Sequence, residues 1–168
     1  SQYISALLMI GPKLENGLNI TLTGEIVSLP YINMTLQLMA DFGAKVSWVN
    51  DHELKVEPQP YCSIPYNIEN DWSAASYWLE IAALAKDAEI TLPGLFKHSY
   101  QGDSKMAENF GLLGAIPICK DNNVTIQKPR FVDISMATHM ICDFTNQPDL
   151  AQTFVVTCAL QNITFCFT

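Results

Sequence analysis

Arginine is almost absent from this sequence. Arg130 is the only one among 168 residues, and 17 acidic side chains outnumber the 9 basic ones to give a formal net charge of −8. Proteins that grip nucleic acid do so through clustered lysine and arginine, and here the lysines are scattered. The composition therefore excludes a nucleic-acid partner. It also implies that a strong cationic clamp for any anionic ligand must come from outside this chain.

Long apolar runs and metal-binding spacings are lacking too. No stretch approaches the roughly 18–20 apolar residues that a membrane span needs, yet a hydrophobic fraction of 49% is too high for a disordered chain. The sequence predicts a soluble globular protein without a membrane partner. The cysteines form no CxxC pair and no zinc pattern, which predicts free thiols, a reducing cytoplasmic location and no metal. They are Cys62, Cys119, Cys142, Cys158 and Cys166.

The order of predicted elements repeats with a period near 70 residues. Gly43-Ala44, after one predicted helix, returns as Gly114-Ala115 after another, an offset of 71. For the first copy of the repeat, the sequence predicts a helix from Ser1, a strand at 18–23, a helix at 30–42 and strands at 45–49 and 53–57. For the second copy, it predicts a helix at 73–85, a strand at 89–92, a helix at 103–113 and strands at 116–119 and 124–127. A third begins with a helix at Pro148 and a strand at 163–167. Duplicated units of this kind predict an α/β (α+β) fold.

Five motifs occur in an order and spacing that resemble the EPSP synthase family, the 3-phosphoshikimate 1-carboxyvinyltransferases. They are SQYISALLM at 1–9, GEIVSLPY at 24–31, DWSAASY at 71–77, QGD at 101–103 and PD at 148–149. Their wording is similar to the Bacteroidetes branch of that family. The resemblance implies a partial EPSP synthase-like fold built from inside-out α/β barrel units, each a βαβαββ repeat. Residues 1–68 would be the last unit of an N-terminal lobe. Residues 69–168 would be the first unit and the start of the second unit of a C-terminal lobe.

The activity implied by the resemblance joins shikimate 3-phosphate to phosphoenolpyruvate. The 5-hydroxyl adds to the enol carbon, a proton goes to the methylene, and phosphate leaves the tetrahedral intermediate. This reaction needs no cofactor or metal, but it needs a base, an acid and cations around the phosphates and carboxylates. The resemblance further implies a monomeric full-length protein. Because the family's other motifs lie outside residues 1–168, we expect this chain to be an internal fragment without activity of its own.

Four substrate-binding residues are implied by the same resemblance. Ser1 and Gln2 match the end of a Ser-Ser-Gln motif, where a hydroxyl and free N–H groups at a helix start can hold a phosphate. Ser28 matches a residue that binds the phosphate of shikimate 3-phosphate, and Tyr31 lines the same pocket. The structural alternatives are a plain cap for Ser1 or Ser28 and a packing role for Tyr31.

Asp149 matches the carboxylate that accepts the proton of the 5-hydroxyl, and it is the one catalytic residue we predict in this chain. Its position after Pro148 at a helix start would equally suit a capping residue. Asp71 and Asp103, although family-like, are interpreted mainly as helix caps.

Two other functions remain open at this point. The sister transferase that acts on UDP-N-acetylglucosamine shares the fold and chemistry, although Ser1-Gln2-Tyr3 and the Ser28, Pro30 and Tyr31 pattern favour the shikimate enzyme. A non-catalytic binding module of the same fold is the alternative from a different class. A pure binder has no need of a base, so Asp149 argues against it.

Overall fold

The computed structural model describes residues 2–131, 134 and 139–168. The chain divides into two compact units, Ser1–Asn67 (unit 1) and Ile68–Thr168 (unit 2). Both contain helices and sheet, so the expected mixed α/β class is confirmed. The assignment of residues 1–68 and 69–168 to two lobes of a larger protein stays a prediction.

Unit 1 consists of two helices and a three-stranded antiparallel sheet. Its order is α1 (Gln2–Ile10), a 3-10 turn (Gly11–Lys13), β1 (Leu18–Thr21), α2 (Leu29–Asp41), β2 (Val46–Asn50) and β3 (Glu53–Val56). β3 lies between β1 and β2. One face of each helix packs on this sheet, since Leu8 of α1, Ile32 and Met39 of α2, and Leu54 and Val56 of β3 form one buried cluster.

The end of α2 follows from a single glycine. Gly43 has φ +83°, a left-handed conformation that favours glycine. It lets Gly43 N donate to Ala40 O at 2.9 Å and Ala44 N donate to Met39 O at 2.8 Å, the pairing that closes a helix and turns the chain into β2. A side chain here would also collide with Cys62, whose Sγ would lie 2.7 Å from an added Cβ.

Unit 2 begins with the same order of elements, as the repeat predicts. It runs α3 (Trp72–Leu84), β4 (Ala88–Pro93), a 3-10 segment (Gly102–Met106), α4 (Ala107–Leu112), β5 (Ile116–Lys120) and β6 (Asn123–Lys128). The central strand is again the last one, with order β4-β6-β5. Gly114 ends α4 as Gly43 ends α2. Its φ is +95°, and the next residue, Ala115, donates its N–H to Phe110 O at 3.0 Å.

A second sheet of unit 2, with two strands, follows in the sequence. β7 (His139–Cys142) pairs in parallel with β8 (Thr164–Phe167), and between them lie a 3-10 turn (Pro148–Leu150) and α5 (Ala151–Leu160). Phe154 of α5 packs edge-on against Phe110 of α4, with ring centroids 5.3 Å apart. Leu79 of α3 belongs to the same buried cluster as these two rings, so α3, α4 and α5 share one apolar core.

Two expectations about local structure were wrong in detail, and one strand was not predicted. The predicted helix at 103–113 is a 3-10 segment followed by the six-residue α4, because Ser104 N bonds to Gln101 O three residues back. The helix expected from Pro148 likewise opens as a 3-10 turn, with Leu150 N donating to Gln147 O. The strand β7 was not predicted from the sequence.

No helix in the described ranges is long and apolar enough to cross a membrane. All five cysteines are free thiols, with Cys158 buried and Cys62 and Cys166 exposed.

Candidate active site

The two helices of unit 1 run parallel, so their N-termini lie at the same end. At the opposite end Gln59 joins both C-termini: its backbone N–H donates to Pro12 O at 2.9 Å, and its side-chain amide donates to Gly43 O. Nearer the N-termini, the hydroxyls of Thr35 and Ser5 are hydrogen-bonded at 2.8 Å. Parallel helix dipoles make such an end favourable for an anionic group.

The residues implied as substrate-binding in unit 1 belong to this end. Gln2 is the first residue of α1, and its side chain is exposed. Ser28 and Tyr31 flank the start of α2, both half-buried, and Tyr31 N donates to Ser28 O at 3.2 Å. Ser1 lies outside the described residues. The Ser5–Thr35 link thus places the predicted residues of α1 and α2 at one end of the helix pair.

Ser28 has an unusual backbone for a serine. It occupies the N-cap position of α2 in the left-handed conformation, with φ +58° and ψ +36°. No capping hydrogen bond from its side chain is found among the described residues, although capping was the alternative to substrate binding. Strained backbone of this kind clusters at functional sites, so the conformation keeps Ser28 a candidate for ligand binding.

Unit 2 repeats this arrangement with three parallel helices. At their C-terminal ends Gln161 Nε2 donates to Ala83 O at 2.8 Å and to Leu113 O at 2.9 Å, which joins α5, α3 and α4. At the other end Thr153 of α5 hydrogen-bonds to Ser76 of α3 at 3.2 Å. The N-termini of all three helices therefore lie together.

Asp149 lies at this N-terminal end. It is the middle residue of the 3-10 turn Pro148–Leu150, and its side chain is exposed. The N-cap positions are Gln147 for the 3-10 turn and Leu150 for α5, so Asp149 lies in the first turn and not at an N-cap position. An exposed carboxylate in the first turn before a helix is accessible to a substrate hydroxyl, which a general base requires.

The two aspartates that we interpreted as caps differ. Asp71 caps α3 as expected, because its side chain accepts a hydrogen bond from Ser73 N at 2.9 Å. Asp103 lies in the first turn of a 3-10 segment whose N-cap is Gln101. Its buried carboxylate accepts a hydrogen bond from the Ser73 hydroxyl. Asp103 thereby ties the 3-10 segment that precedes α4 to the start of α3.

Glu69 organises the entry into unit 2, a role the sequence did not reveal. Oε1 accepts hydrogen bonds from Trp72 Nε1 and Phe96 N, both at 2.8 Å. Oε2 accepts from Ser99 Oγ at 2.6 Å and from Gln101 Nε2 at 3.1 Å. One carboxylate therefore holds the residues before α3 against the loop after β4.

The interhelical hydroxyl pairs were missed as well. Thr35 is buried on the face of α2 that also carries Ile32 and Met39, and Thr153 is buried beside Phe154 on α5. Each threonine occupies a position of the helical period where an apolar residue is expected. Hydrophobic patterning disregards a single polar residue at such a position, so the pattern did not indicate a hydrogen bond.

The described residues hold no group of three or more His, Cys, Asp or Glu side chains suited to a metal ion. A cavity of about 610 Å³ lies at the C-terminal end of α3, lined by Lys86, Asp87, Lys128 and Arg130 among others. Arg130 Nε pairs with Asp87 at 3.1 Å, and Lys128 donates to Ala83 O. Because this is the end opposite to Asp149, the cavity is separate from the candidate site.

Comparison with known proteins assigns the chain to a family. The family model described as EPSP synthase (3-phosphoshikimate 1-carboxyvinyltransferase) matches residues 1–165. The chain belongs to the EPSP synthase family. The resemblance inferred from the five motifs is thereby confirmed.

Named relatives of this EPSP synthase family member agree. A Bacteroides fragilis protein named 3-phosphoshikimate 1-carboxyvinyltransferase is 57% identical over 168 residues, which are 100% of this chain and 40% of the relative. Proteins of the same name from Idiomarina loihiensis and Histophilus somni are 37% and 34% identical, over 91% and 94% of this chain and 35% of each relative. The higher identity to the Bacteroides protein confirms the expected likeness to that branch. The chain spans no more than 40% of the length of these relatives.

Proposed function

We propose that the protein containing this chain transfers the enolpyruvyl group of phosphoenolpyruvate to the 5-hydroxyl of shikimate 3-phosphate. The family match over residues 1–165 carries this proposal. The products are 5-enolpyruvylshikimate 3-phosphate and inorganic phosphate. The barrel organisation, with units 1 and 2 assigned to two lobes of βαβαββ repeats, belongs to the same proposal. The repeated element order and the equal strand orders of the two sheets support it.

Asp149 acts as the base in this reaction. Its carboxylate accepts the proton of the 5-hydroxyl while that oxygen bonds to the enol carbon, and the methylene carbon takes up a proton from an acid elsewhere in the protein. The tetrahedral intermediate then breaks its bond to the phosphate oxygen, loses a proton from the new methyl group and restores the double bond. The exposed position of Asp149 at the start of α5 supports this role.

The substrate binds at the N-termini of α1 and α2 in unit 1. The hydroxyl of Ser28 and the side chains of Gln2 and Tyr31 hold shikimate 3-phosphate, together with Ser1. The parallel dipoles of α1 and α2 favour the phosphate there. With one arginine in the chain, the remaining cations come from the rest of the protein.

The experiment is a phosphate-release assay with the full-length protein, phosphoenolpyruvate and either of two acceptors. We expect turnover with shikimate 3-phosphate and none with UDP-N-acetylglucosamine. The opposite preference would identify the sister transferase, and no release with either acceptor would favour a binding module. Residues 1–168 alone should release no phosphate. If residues 1–168 alone release phosphate at an enzymatic rate, the activity does not depend on the remaining sequence.

A further inference from the structure

A chain of buried and half-buried polar side chains joins the helices of unit 2 at the end where Asp149 lies. Asp103 accepts a hydrogen bond from Ser73 Oγ, and Ser76 Oγ donates to Ser73 O at 2.7 Å. Thr153 Oγ1 lies 3.2 Å from Ser76 Oγ and 3.1 Å from Leu150 O. We call Asp103, Ser73, Ser76 and Thr153 the polar ladder. It connects the 3-10 segment that precedes α4 with the first two turns of α3 and the first turn of α5.

Stability alone does not account for the polar ladder. Ser76 and Thr153 are each 1% exposed and lie among the mostly apolar buried residues of unit 2. A buried polar group costs free energy unless it is hydrogen-bonded, and an apolar side chain of equal size often serves a core as well. What a satisfied polar contact adds is a defined register between the elements that it joins.

Thr157 shows the difference within the same helix. It lies one turn after Thr153, is fully buried, and hydrogen-bonds to Thr153 O at 2.8 Å. Its hydroxyl makes no described contact with another helix, so its hydrogen bond lies within α5. The Thr153 hydroxyl shares its proton between Leu150 O, three residues back, and Ser76 Oγ on α3.

The register fixed by Thr153 is transmitted directly to the predicted base. Leu150, whose carbonyl bonds to Thr153, is the residue after Asp149, and the 3-10 turn Pro148–Leu150 leads straight into α5. A shift of α5 along α3 would therefore displace Asp149 by the same amount. Displacement of a catalytic group by about 1 Å is enough to lower turnover by up to about a hundredfold.

We propose that Thr153, through its contact with Ser76, is a positioning residue that sets the location of the Asp149 carboxylate for proton transfer. The proposal rests on the proposed function, since it concerns how that reaction's base is held. The contact acts on the chemical step and leaves the substrate-binding residues of unit 1 unaffected.

The test measures kcat and KM for shikimate 3-phosphate in the full-length protein with three variants. Thr153→Val keeps the side-chain volume and removes the hydroxyl, and we expect kcat to fall about tenfold or more with KM changed less than about threefold. Thr153→Ser retains the hydroxyl and should restore most of the kcat. Thr157→Val makes the same substitution one turn later and should leave kcat within about twofold of the unaltered protein.

Equal kcat values for Thr153→Val and Thr157→Val would overturn the proposal, and so would a loss of kcat that Thr153→Ser fails to restore. If Thr153→Val does not fold, Ser76→Ala removes the same contact from α3 and must lower kcat with little change in KM. An unchanged kcat in Ser76→Ala also overturns the proposal. An unaltered protein that forms no enolpyruvyl product instead contradicts the proposed function, so the two failures are distinguishable.

Discussion

The indole N–H of Trp72 donates a hydrogen bond to Glu69 Oε1 at 2.8 Å, which fixes the first residue of α3 to the segment that precedes the helix. Trp72 is almost fully buried, so its N–H depends on this partner. The same carboxylate accepts hydrogen bonds from Phe96 N, Ser99 Oγ and Gln101 Nε2. Four donors converge on one side chain, and only the carboxylate form of that side chain accepts from all of them.

Replacing Glu69 by glutamine should therefore destabilise unit 2. An amide group keeps one accepting oxygen, but its nitrogen only donates, so the donors that meet one of the two carboxylate oxygens lose their partner. We expect Glu69→Gln to lower the free energy of unfolding by about 1–3 kcal/mol. Urea denaturation followed by tryptophan fluorescence measures this change.

Glu89→Gln is the matched control for that experiment. Glu89 lies on β4 with an exposed side chain, and the described structure shows no hydrogen bond from it. Its substitution should change the free energy of unfolding by less than about 0.5 kcal/mol. Equal effects of the two substitutions would mean that the Glu69 contacts contribute little to folding.

Substitutions of Ser28 should affect protein stability and ligand binding differently. A left-handed residue with a Cβ is strained by about 1–2 kcal/mol relative to glycine, and Ser28 has φ +58°. We expect Ser28→Gly to be more stable than Ser28→Ala, because only glycine relieves the strain. Thermal unfolding of both variants measures this difference.

Both Ser28 variants should bind shikimate 3-phosphate more weakly, since each lacks the hydroxyl. Calorimetric titration of the full-length variants tests that loss. Undiminished affinity in both would remove Ser28 from the binding site. A Ser28→Gly protein no more stable than Ser28→Ala would show that the backbone conformation is unstrained.

The helices and strands were largely predictable because local signals agree with the packing. Gly43 and Gly114 mark helix ends by their left-handed conformation, and both were recognised from their shared Gly-Ala dipeptide. Alternating burial along β4 follows the alternating apolar residues of its sequence. The split of the expected helix at 103–113 was not predictable, because it accompanies a tertiary contact between Asp103 and Ser73.

The candidate site was predictable only as a set of residues. Motif spacing identified Gln2, Ser28, Tyr31 and Asp149, but it contains no information on which helices run parallel. That arrangement is seen in the contacts of Gln59 and Gln161, whose amides join helix C-termini far apart in the sequence. Long-range hydrogen bonds of this kind leave no periodic pattern, so the convergence of the N-termini appears only in three dimensions.

Cys158 should make stability depend on pH in the alkaline range. Burial, with a smaller contribution from the nearby Cys142 thiolate, raises the pKa of the Cys158 thiol to about 11, against about 8.5 for a free cysteine. The folded protein therefore holds this proton more tightly than the unfolded chain. The stabilisation is complete below about pH 8.5 and is lost as pH rises towards 11.

We expect the free energy of unfolding to fall less steeply between pH 8.5 and 11 in Cys158→Ala than in the unaltered protein. Urea denaturation at several pH values measures the slope. Cys62→Ala is the control, because Cys62 is exposed, and its slope should match that of the unaltered protein. Identical slopes for both variants would show that the Cys158 thiol does not contribute.

Asp149→Asn should remove turnover while leaving the fold intact. Asparagine has nearly the same shape as aspartate but cannot accept the proton of the 5-hydroxyl, and loss of a general base lowers kcat by about 10²–10⁴-fold. The side chain is exposed, so thermal unfolding should change little. Asp51→Asn, in the exposed turn between β2 and β3, is the control and should keep normal turnover. If Asp149→Asn turns over at the rate of the control, another group takes the proton and Asp149 has no part in the chemical step.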